Sequence, residues 1–497
     1  AVWPTSSIGT PFLKRGRNTG LYINALSVFR EDDVDHDQIP AGFKNAHDQY
    51  INLLQNHSWM DFTDVLVRAV EAIAKCATDE SLISLRQTLQ NYKYITVDEY
   101  QDVNPIQEKL VNSIISHGAK LCVVGDDDQT IYQWRGSEVT NILTFASRYS
   151  RVKSVILDDN FRSSKGVVDL ATIVANDIDP SVRLPKQMNA AGHQQYERGD
   201  ILALELTDPH DEARWIAKKI KSMIGLSFRD KSAGPERGLT WSDFAVLFRS
   251  VRTDSGTLVD VFKEEKIPFI IKGLARLFEI DEVVAIQAAF RYAAKEIDLT
   301  QFKALWRIGN LCNSKSFDNG LKFIEEVWEI FESDKYEKLN LQQFYLDMLS
   351  AFGITEENVP DNRGSIAFYS LGKFSEVISD FESINYQLSP DQKLTAFTRW
   401  LMYEAREVYE EAYGEIGYAI PDAVVISTVH QAKGMQWPSV FIPMLQRSRF
   451  PMPRRGGLRL DHVLPSIAIN NFERYLGNLD DERRLFYVAL TRAQHEV

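Results

Sequence analysis

Cysteine is scarce in these 497 residues: there are three, Cys76, Cys122 and Cys312. They stand in no paired spacing. That excludes a disulfide framework and a cysteine-rich zinc site, and suits a reducing, cytoplasmic setting. Also missing is any run of about 18 apolar residues, so no membrane span and no membrane partner are expected. The opening stretch AVWPTSSIGTPFLKRGR has no apolar core of the kind a secretory leader carries. Solenoid repeats and low-complexity segments are absent. So is an excess of basic charge, since 56 Lys and Arg face 69 Asp and Glu, a net charge of -13. Charge alone therefore does not suggest a nucleic-acid binder, although a basic groove can sit on an acidic body. Two local basic clusters exist, Lys14, Arg15 and Arg17, then Arg447, Arg449, Arg454, Arg455 and Arg459. Each reads equally well as a solvated loop or as an anion-binding patch.

What is present is a 44% hydrophobic share, enough for several cores, or about three or four domains at roughly 150 residues each. Residues 43–90 have the apolar spacing of helices. Short β-rich runs follow at Tyr94–Val97, Leu121–Val124 and Val155–Leu157, with helical stretches between them. Ile201–Leu206, Phe244–Phe248 and Phe269–Ile271 continue the rhythm, and Val424–Ile426 and Val440–Ile442 resume it. Strands alternating with helices predict an α/β fold with parallel sheets. Residues 282–415 differ, being helical in pattern without strand runs, and read as an insertion into the second sheet domain. In parallel sheets ligands gather at the carboxyl ends of strands, and two acidic turns fall there.

The first is Val97-Asp98-Glu99-Tyr100-Gln101-Asp102, followed by Asn104-Pro105-Ile106-Gln107. An apolar strand ending in Asp-Glu is the Walker B pattern, in which the Asp holds Mg2+ and the Glu polarises a water. Taken alone it is more often a solvated turn. The second is Val124-Gly125-Asp126-Asp127-Asp128-Gln129-Thr130-Ile131-Tyr132-Gln133-Trp134-Arg135-Gly136. Three adjacent acids repel one another and call for a nearby cation or a phosphate-linked network. Gln129 suits a γ-phosphate sensor. Tyr132 and Trp134 beside Arg135 suit base stacking combined with backbone attraction, although an aromatic pair alone is more often core.

Three further strings are Asp159-Asn160-Phe161-Arg162-Ser163-Ser164, then Ser427 to Pro438 (STVHQAKGMQWP), then Asp481 to Ala493 (DERRLFYVALTRA). Arg162 and Arg492 are candidate clamps on a transferring phosphoryl group, though any single Arg is more often a surface ion-pair partner. His430 alone reads sooner as a structural hydrogen-bonder than as a base.

In this order and spacing the five strings resemble motifs II to VI of the UvrD-like superfamily 1A DNA helicases, from about residue 44 to the end. Gly273 and Phe278-Glu279-Ile280 form a weaker echo. The resemblance implies two RecA-like parallel-sheet domains, the first incomplete, with helical accessory domains. The implied division is 1–91 (remainder of accessory domain 1B), 92–155 (partial domain 1A), 156–285 with 421–497 (domain 2A), and 286–420 (accessory domain 2B inserted in 2A). It implies ATP and Mg2+ as cofactors and 3′ to 5′ movement on single-stranded DNA and at junctions with duplex. Asp98 is then the Mg2+ ligand and Glu99 the general base. Gln129 is the γ-phosphate sensor, and Arg162 and Arg492 are the arginine clamps. Tyr132 and Trp134 are the stacking residues, with Arg135 joining DNA to nucleotide. Thr428 and His430 are coupling residues near the DNA. Gln436 stands where the family has Glu near the nucleotide sugar, which predicts tuning rather than loss.

One departure is large. No phosphate-binding loop of the form G-x-x-x-x-G-K-[ST] occurs. Leu371-Gly372-Lys373-Phe374 lacks the hydroxyl residue and sits in the helical insertion. Both ends of the chain therefore read as cut, and the chain alone is expected to hydrolyse ATP poorly. Two alternatives stay open. One is a non-catalytic single-stranded DNA-binding or regulatory protein. The other is the motor subunit of a helicase–nuclease or defence complex, with protein partners in repair or defence.

Overall fold

The computed structural model describes residues 11–273, 276–332, 339–405, 421–452 and 460–497. Arg454, Arg455 and Arg459 lie outside the described residues. In chain order the main elements begin with α1 (Pro11–Glu31), α2 (Ala41–Asn56), α3 (Phe62–Lys75), α4 (Ile83–Asn91), β1 (Tyr94–Val97), α5 (Pro105–Ile115) and β2 (Lys120–Val123). After these come β3 (Asp159–Asn160), α6 (Lys165–Asn176), β4 (Asn189–Ala190), α7 (Pro209–Met223), β5 (Ser227–Arg229), β6 (Glu236–Gly238), β7 (Phe244–Phe248), α8 (Gly256–Glu264) and β8 (Phe269–Ile271). The helices α9 (Asp281–Ala293), α10 (Leu299–Gly309), α11 (Ser314–Glu332), α12 (Leu341–Ala351), α13 (Gly364–Ile384) and α14 (Pro390–Tyr403) follow. The chain finishes with β9 (Val424–Thr428), β10 (Trp437–Phe441), α15 (Leu479–Leu490) and β11 (Ala493–Glu496). No helix among the described residues is long and apolar enough to cross a membrane.

The chain forms two compact units, residues 1–194 with 445–491, and residues 195–444 with 492–497. In the first unit β1 and β2 pair in parallel, Tyr94 opposite Lys120 and Val97 opposite Val123. Among the described residues no third strand joins this pair. The string Asn104-Pro105-Ile106-Gln107 has a local purpose in this unit. Asn104 and Gln107 close a reciprocal capping box and Pro105 opens α5, satisfying amides that a helix start leaves unpaired. The helix therefore begins directly behind the Asp-Glu turn.

The second unit is built on a five-stranded parallel sheet of order β11-β10-β7-β9-β8. Every residue of β7 and β9 is buried, as expected of strands covered on both faces, where β7 and Val424–Ile426 of β9 run continuously apolar. The helical insertion has its own core from Leu277 to Ala405. Phe290 sits at its centre, with ring centroids 5.0 Å from Phe397 and 5.6 Å from Phe344.

Two expected strands are not strands. Val155, Ile156 and Leu157 are 69%, 63% and 75% exposed, and the strand begins later, at Asp159. Ile201–Leu206 is irregular, and its pairing is limited to one bracket, in which Leu202 donates to the Val497 carbonyl and Val497 to that of Asp200. A β-rich composition reports fitness for a pleated surface, and a strand exists only where a partner strand meets it.

Lys373 is a buried member of α13. Its ammonium donates to the carbonyls of Ile271 and Gly273, 3.0 Å each, and lies 4.3 Å from the Tyr369 ring centroid. The LGKF fragment thus ties the insertion to the end of β8. Lys373→Met leaves those buried carbonyls short of a donor, so a loss of about 1–3 kcal/mol is expected in denaturant unfolding.

Candidate nucleotide and single-stranded DNA site

In the first unit the strand-end acids are exposed at the carboxyl end of β1. Glu99 adopts a left-handed conformation, φ 50°, unusual for a residue with a side chain and frequent at functional sites. Its carboxylate accepts a hydrogen bond from the amide of Gln101. Gln101 is fully buried, and its carbonyl oxygen accepts from the Asp126 backbone N–H at 3.0 Å. One side chain thus joins the two acidic turns. Gly125 makes room for it, since a Cβ there would lie 2.5 Å from the Gln101 oxygen. The motif contained Gln101, but its bridging role was invisible, because the spacing of 25 residues between partners closes only when β1 and β2 pair.

The cation that the three acids called for is the protein's own. Lys186 reaches Asp126, Asp127 at 2.7 Å and Asp128 at 3.1 Å. Arg183 forms a two-pronged pair with Asp128, at 2.8 and 3.0 Å. The Leu184 N–H donates to Asp127 at 2.8 Å. Burial pushes the Asp126 carboxyl up, but the Lys186 charge and hydrogen bond, with Gln129, outweigh it and hold it below its ordinary value. For Asp128 burial prevails over Arg183 and Lys186, and its carboxyl sits above the ordinary range. Arg183 and Lys186 lie in an unremarkable RLPK stretch, and no sequence signal pointed to them.

Gln129 donates to Asp126 at 2.8 Å. Tyr132 is half-buried, and burial, with the charges of Asp102 and Glu99 and against Arg135, pushes its phenol up to about 12. Trp134 is 37% exposed and the Arg135 guanidinium lies 4.6 Å from its ring centroid, a cation–π contact that leaves ring area open to solvent. Arg162 donates to the Thr491 carbonyl at 3.3 Å, at the end of α15. Desolvation lowers its pKa, opposed by Tyr487 and Glu99. Glu99 and Arg162 therefore share an electrostatic neighbourhood. The helix α15 packs on α6 and on the turn Asp127–Gln129.

The remaining predicted residues belong to the second unit. Thr428 ends β9 buried, and its hydroxyl accepts from the Gln431 N–H at 3.2 Å. His430 is half-buried and Gln436 exposed. Arg492 is buried and donates to the Met435 carbonyl at 3.2 Å, between β10 and β11. The structure thus gathers Asp98, Glu99, Gln129, Tyr132, Trp134, Arg135 and Arg162 in one unit, and Thr428, His430, Gln436 and Arg492 in the other.

The donor set fits a hard cation. Asp98 and Glu99 offer carboxylate oxygens at an exposed strand end, the ligand type Mg2+ prefers. The nearby acids of the Asp126 turn already have Lys186 and Arg183 as ion-pair partners.

Comparisons with known proteins show the family. Residues 22–150 match the family model of the UvrD/REP helicase N-terminal domain. Residues 155–327 and 322–497 match that of the UvrD-like helicase C-terminal domain. Among curated relatives, the ATP-dependent DNA helicase PcrA of Leuconostoc citreum is 26% identical over 488 residues, covering 89% of this chain and 58% of that protein. The proteins of the same name from Staphylococcus epidermidis and Staphylococcus aureus are each 26% identical, over 95% and 92% of this chain and 64% and 60% of their own length. The chain spans about 60% of the length of these relatives. With family models matching from residue 22 to residue 497, the chain belongs to the UvrD-like DNA helicase family.

Proposed function

We propose that this chain is the greater part of the motor of an ATP-dependent, cytoplasmic DNA helicase that travels 3′ to 5′ on single-stranded DNA and acts at junctions with duplex. The observation that carries the reading is the bridge from Glu99 through Gln101 to the Asp126–Gln129 turn, which continues directly into the Tyr132–Arg135 loop. The residue proposed to polarise water and the loop proposed to offer an aromatic face are thereby linked by hydrogen bonds. The four-part division into 1–91, 92–155, 156–285 with 421–497, and 286–420 goes with this reading.

Bound Mg-ATP supplies the free energy, and the residues supply placement. Asp98 would hold Mg2+. Glu99 accepts the proton of the attacking water at its carboxylate, a role that suits a base exposed at a strand end. The Gln129 amide, already aimed by Asp126, reads the terminal phosphate. Arg162 and Arg492 stabilise charge on the leaving group. Gln436 hydrogen-bonds the sugar. Tyr132 and Trp134 stack bases, Arg135 attracts the backbone, and Thr428 and His430 sit along the strand. No phosphate-loop string lies within these residues, so hydrolysis by the 497 residues alone is expected to be slow.

The test is strand separation with ATP and Mg2+ by the protein that contains this chain. A duplex with a 3′ single-stranded tail is expected to open and one with a 5′ tail to stay closed. Opening only from the 5′ tail overturns the direction. Retained binding of single strands without DNA-stimulated ATP turnover overturns the motor and leaves a DNA-binding protein.

A further inference from the structure

We propose that Arg474 and Tyr475 are positioning residues for the single-strand stacking loop, holding the Trp134 face in place from behind. The inference rests on the reading of Trp134 as a stacking residue.

Trp134 and Arg135 occupy a short 3-10 turn, Gln133–Arg135, that ends at Gly136 with φ 93°. The loop is held at several points away from its open face. Gly136 lies against Tyr475, whose hydroxyl is 2.9 Å from where a Cβ would stand. That hydroxyl donates to Asp32 at 2.7 Å. The Arg474 guanidinium, almost wholly buried, spans Asp32 and Glu138, and also donates to the Asn470 carbonyl at 3.2 Å. The Asn471 amide reaches both oxygens of Glu138, at 3.1 and 2.9 Å. Ser137 also donates to the Asp102 carbonyl at 3.0 Å, and the Glu138 N–H to that of Val103 at 3.3 Å. Gln133 donates to Asp481 at 2.9 Å, in the first turn of α15.

The anchor itself is firm. Asp32 directly follows α1. Ala25, Val28 and Phe29 of that helix share a core with Leu464, Ala468 and Phe472 from the segment carrying Arg474. One cation buried between two carboxylates fixes three segments at once, because moving any of them strands a buried charge. Gly136 then lies close against the Tyr475 phenol, where a side chain would not fit. A base stacking on Trp134 meets a ring that is already placed, so little ordering is needed on binding. Neither Arg474 nor Tyr475 needs to touch DNA for this effect.

The experiment is a double-mutant cycle on binding of a fluorescent oligothymidylate. It uses the protein containing this chain, as wild type, Tyr475→Phe, Trp134→Ala and the pair. Tyr475→Phe keeps the ring and the Arg474 ion pairs, and removes the hydroxyl that seats Gly136. Its thermal melt checks that it folds. Trp134→Ala is expected to weaken binding about 10- to 100-fold. Tyr475→Phe is expected to weaken binding about threefold or more alone, and not at all on top of Trp134→Ala. Arg474→Lys, which keeps the charge without the fork, is expected to follow Tyr475→Phe. An equal loss in both backgrounds overturns the proposal, because the two residues then act on stability and not through the loop. No loss from Tyr475→Phe or Arg474→Lys, with Trp134→Ala still weak, overturns it as well. Unchanged binding by Trp134→Ala overturns the stacking reading itself, and the proposal with it.

Discussion

Lys186→Met is expected to destabilise the first unit by about 3–5 kcal/mol, read as a fall in the denaturant midpoint at neutral pH. The reason is charge balance. Asp126, Asp127 and Asp128 are consecutive, and Lys186 contacts all three. Arg183 pairs directly with Asp128. Removing one partner of a buried ion pair leaves the other desolvated and unpaired, a larger loss than the intact pair contributes. The pH dependence follows from the signs. Asp126 has its folded pKa depressed below the ordinary 3.8. Its contribution is therefore present above that value and lost as the pH falls through the lower, folded one. Lys186 is raised above its ordinary 10.5, so its contribution is full at neutral pH and lost only in strong base. Without Lys186 the Asp126 carboxyl moves up and acid unfolding begins at higher pH. An acid midpoint that stays where it was in the wild type would show that Lys186 is not the group holding Asp126 ionised.

Glu99→Gln is expected to lower DNA-stimulated ATP turnover about 10²- to 10⁴-fold, the range a positioned base contributes. The substitution is gentle on the fold. The new side-chain oxygen still accepts from Gln101, so the bridge to Asp126 survives, and the left-handed backbone at position 99 is no worse for Gln than for Glu. What disappears is proton-accepting capacity and one negative charge near Arg162. Binding of single-stranded DNA is expected to stay within about twofold of wild type, because the Trp134 loop is held by other contacts. Turnover within tenfold of wild type would remove Glu99 from the role of base.

Much of the candidate site was legible in sequence because its proposed chemistry is local. The Asp98-Glu99 pair, the Asp126–Gly136 string and the residues around Arg162 each lie in one short run, and a short run fixes what sits at the end of a strand or in the turn behind it. The buried strand β7 and the Val424–Ile426 part of β9 were legible for the same reason, as uninterrupted apolar runs. Val155–Leu157 and Ile201–Leu206 have a similar composition, and neither became a strand.

What the sequence determined by itself was therefore the inventory: which groups can hold a cation, accept a proton or stack a base, and in what order the chain presents them. Tertiary structure alone decided the partners. Lys186 reaches Asp126 across 60 residues, Gln101 reaches Asp126 across 25, and Arg474 reaches Asp32 across 442. Side-chain contacts of that separation depend on which strands pair and which helices pack, and a linear pattern carries no record of them. The same physics explains why the residues that aim the site, Gln101, Arg183, Lys186 and Arg474, were harder to see than the residues they aim. Their function lies in a distance, and distance is set by the fold.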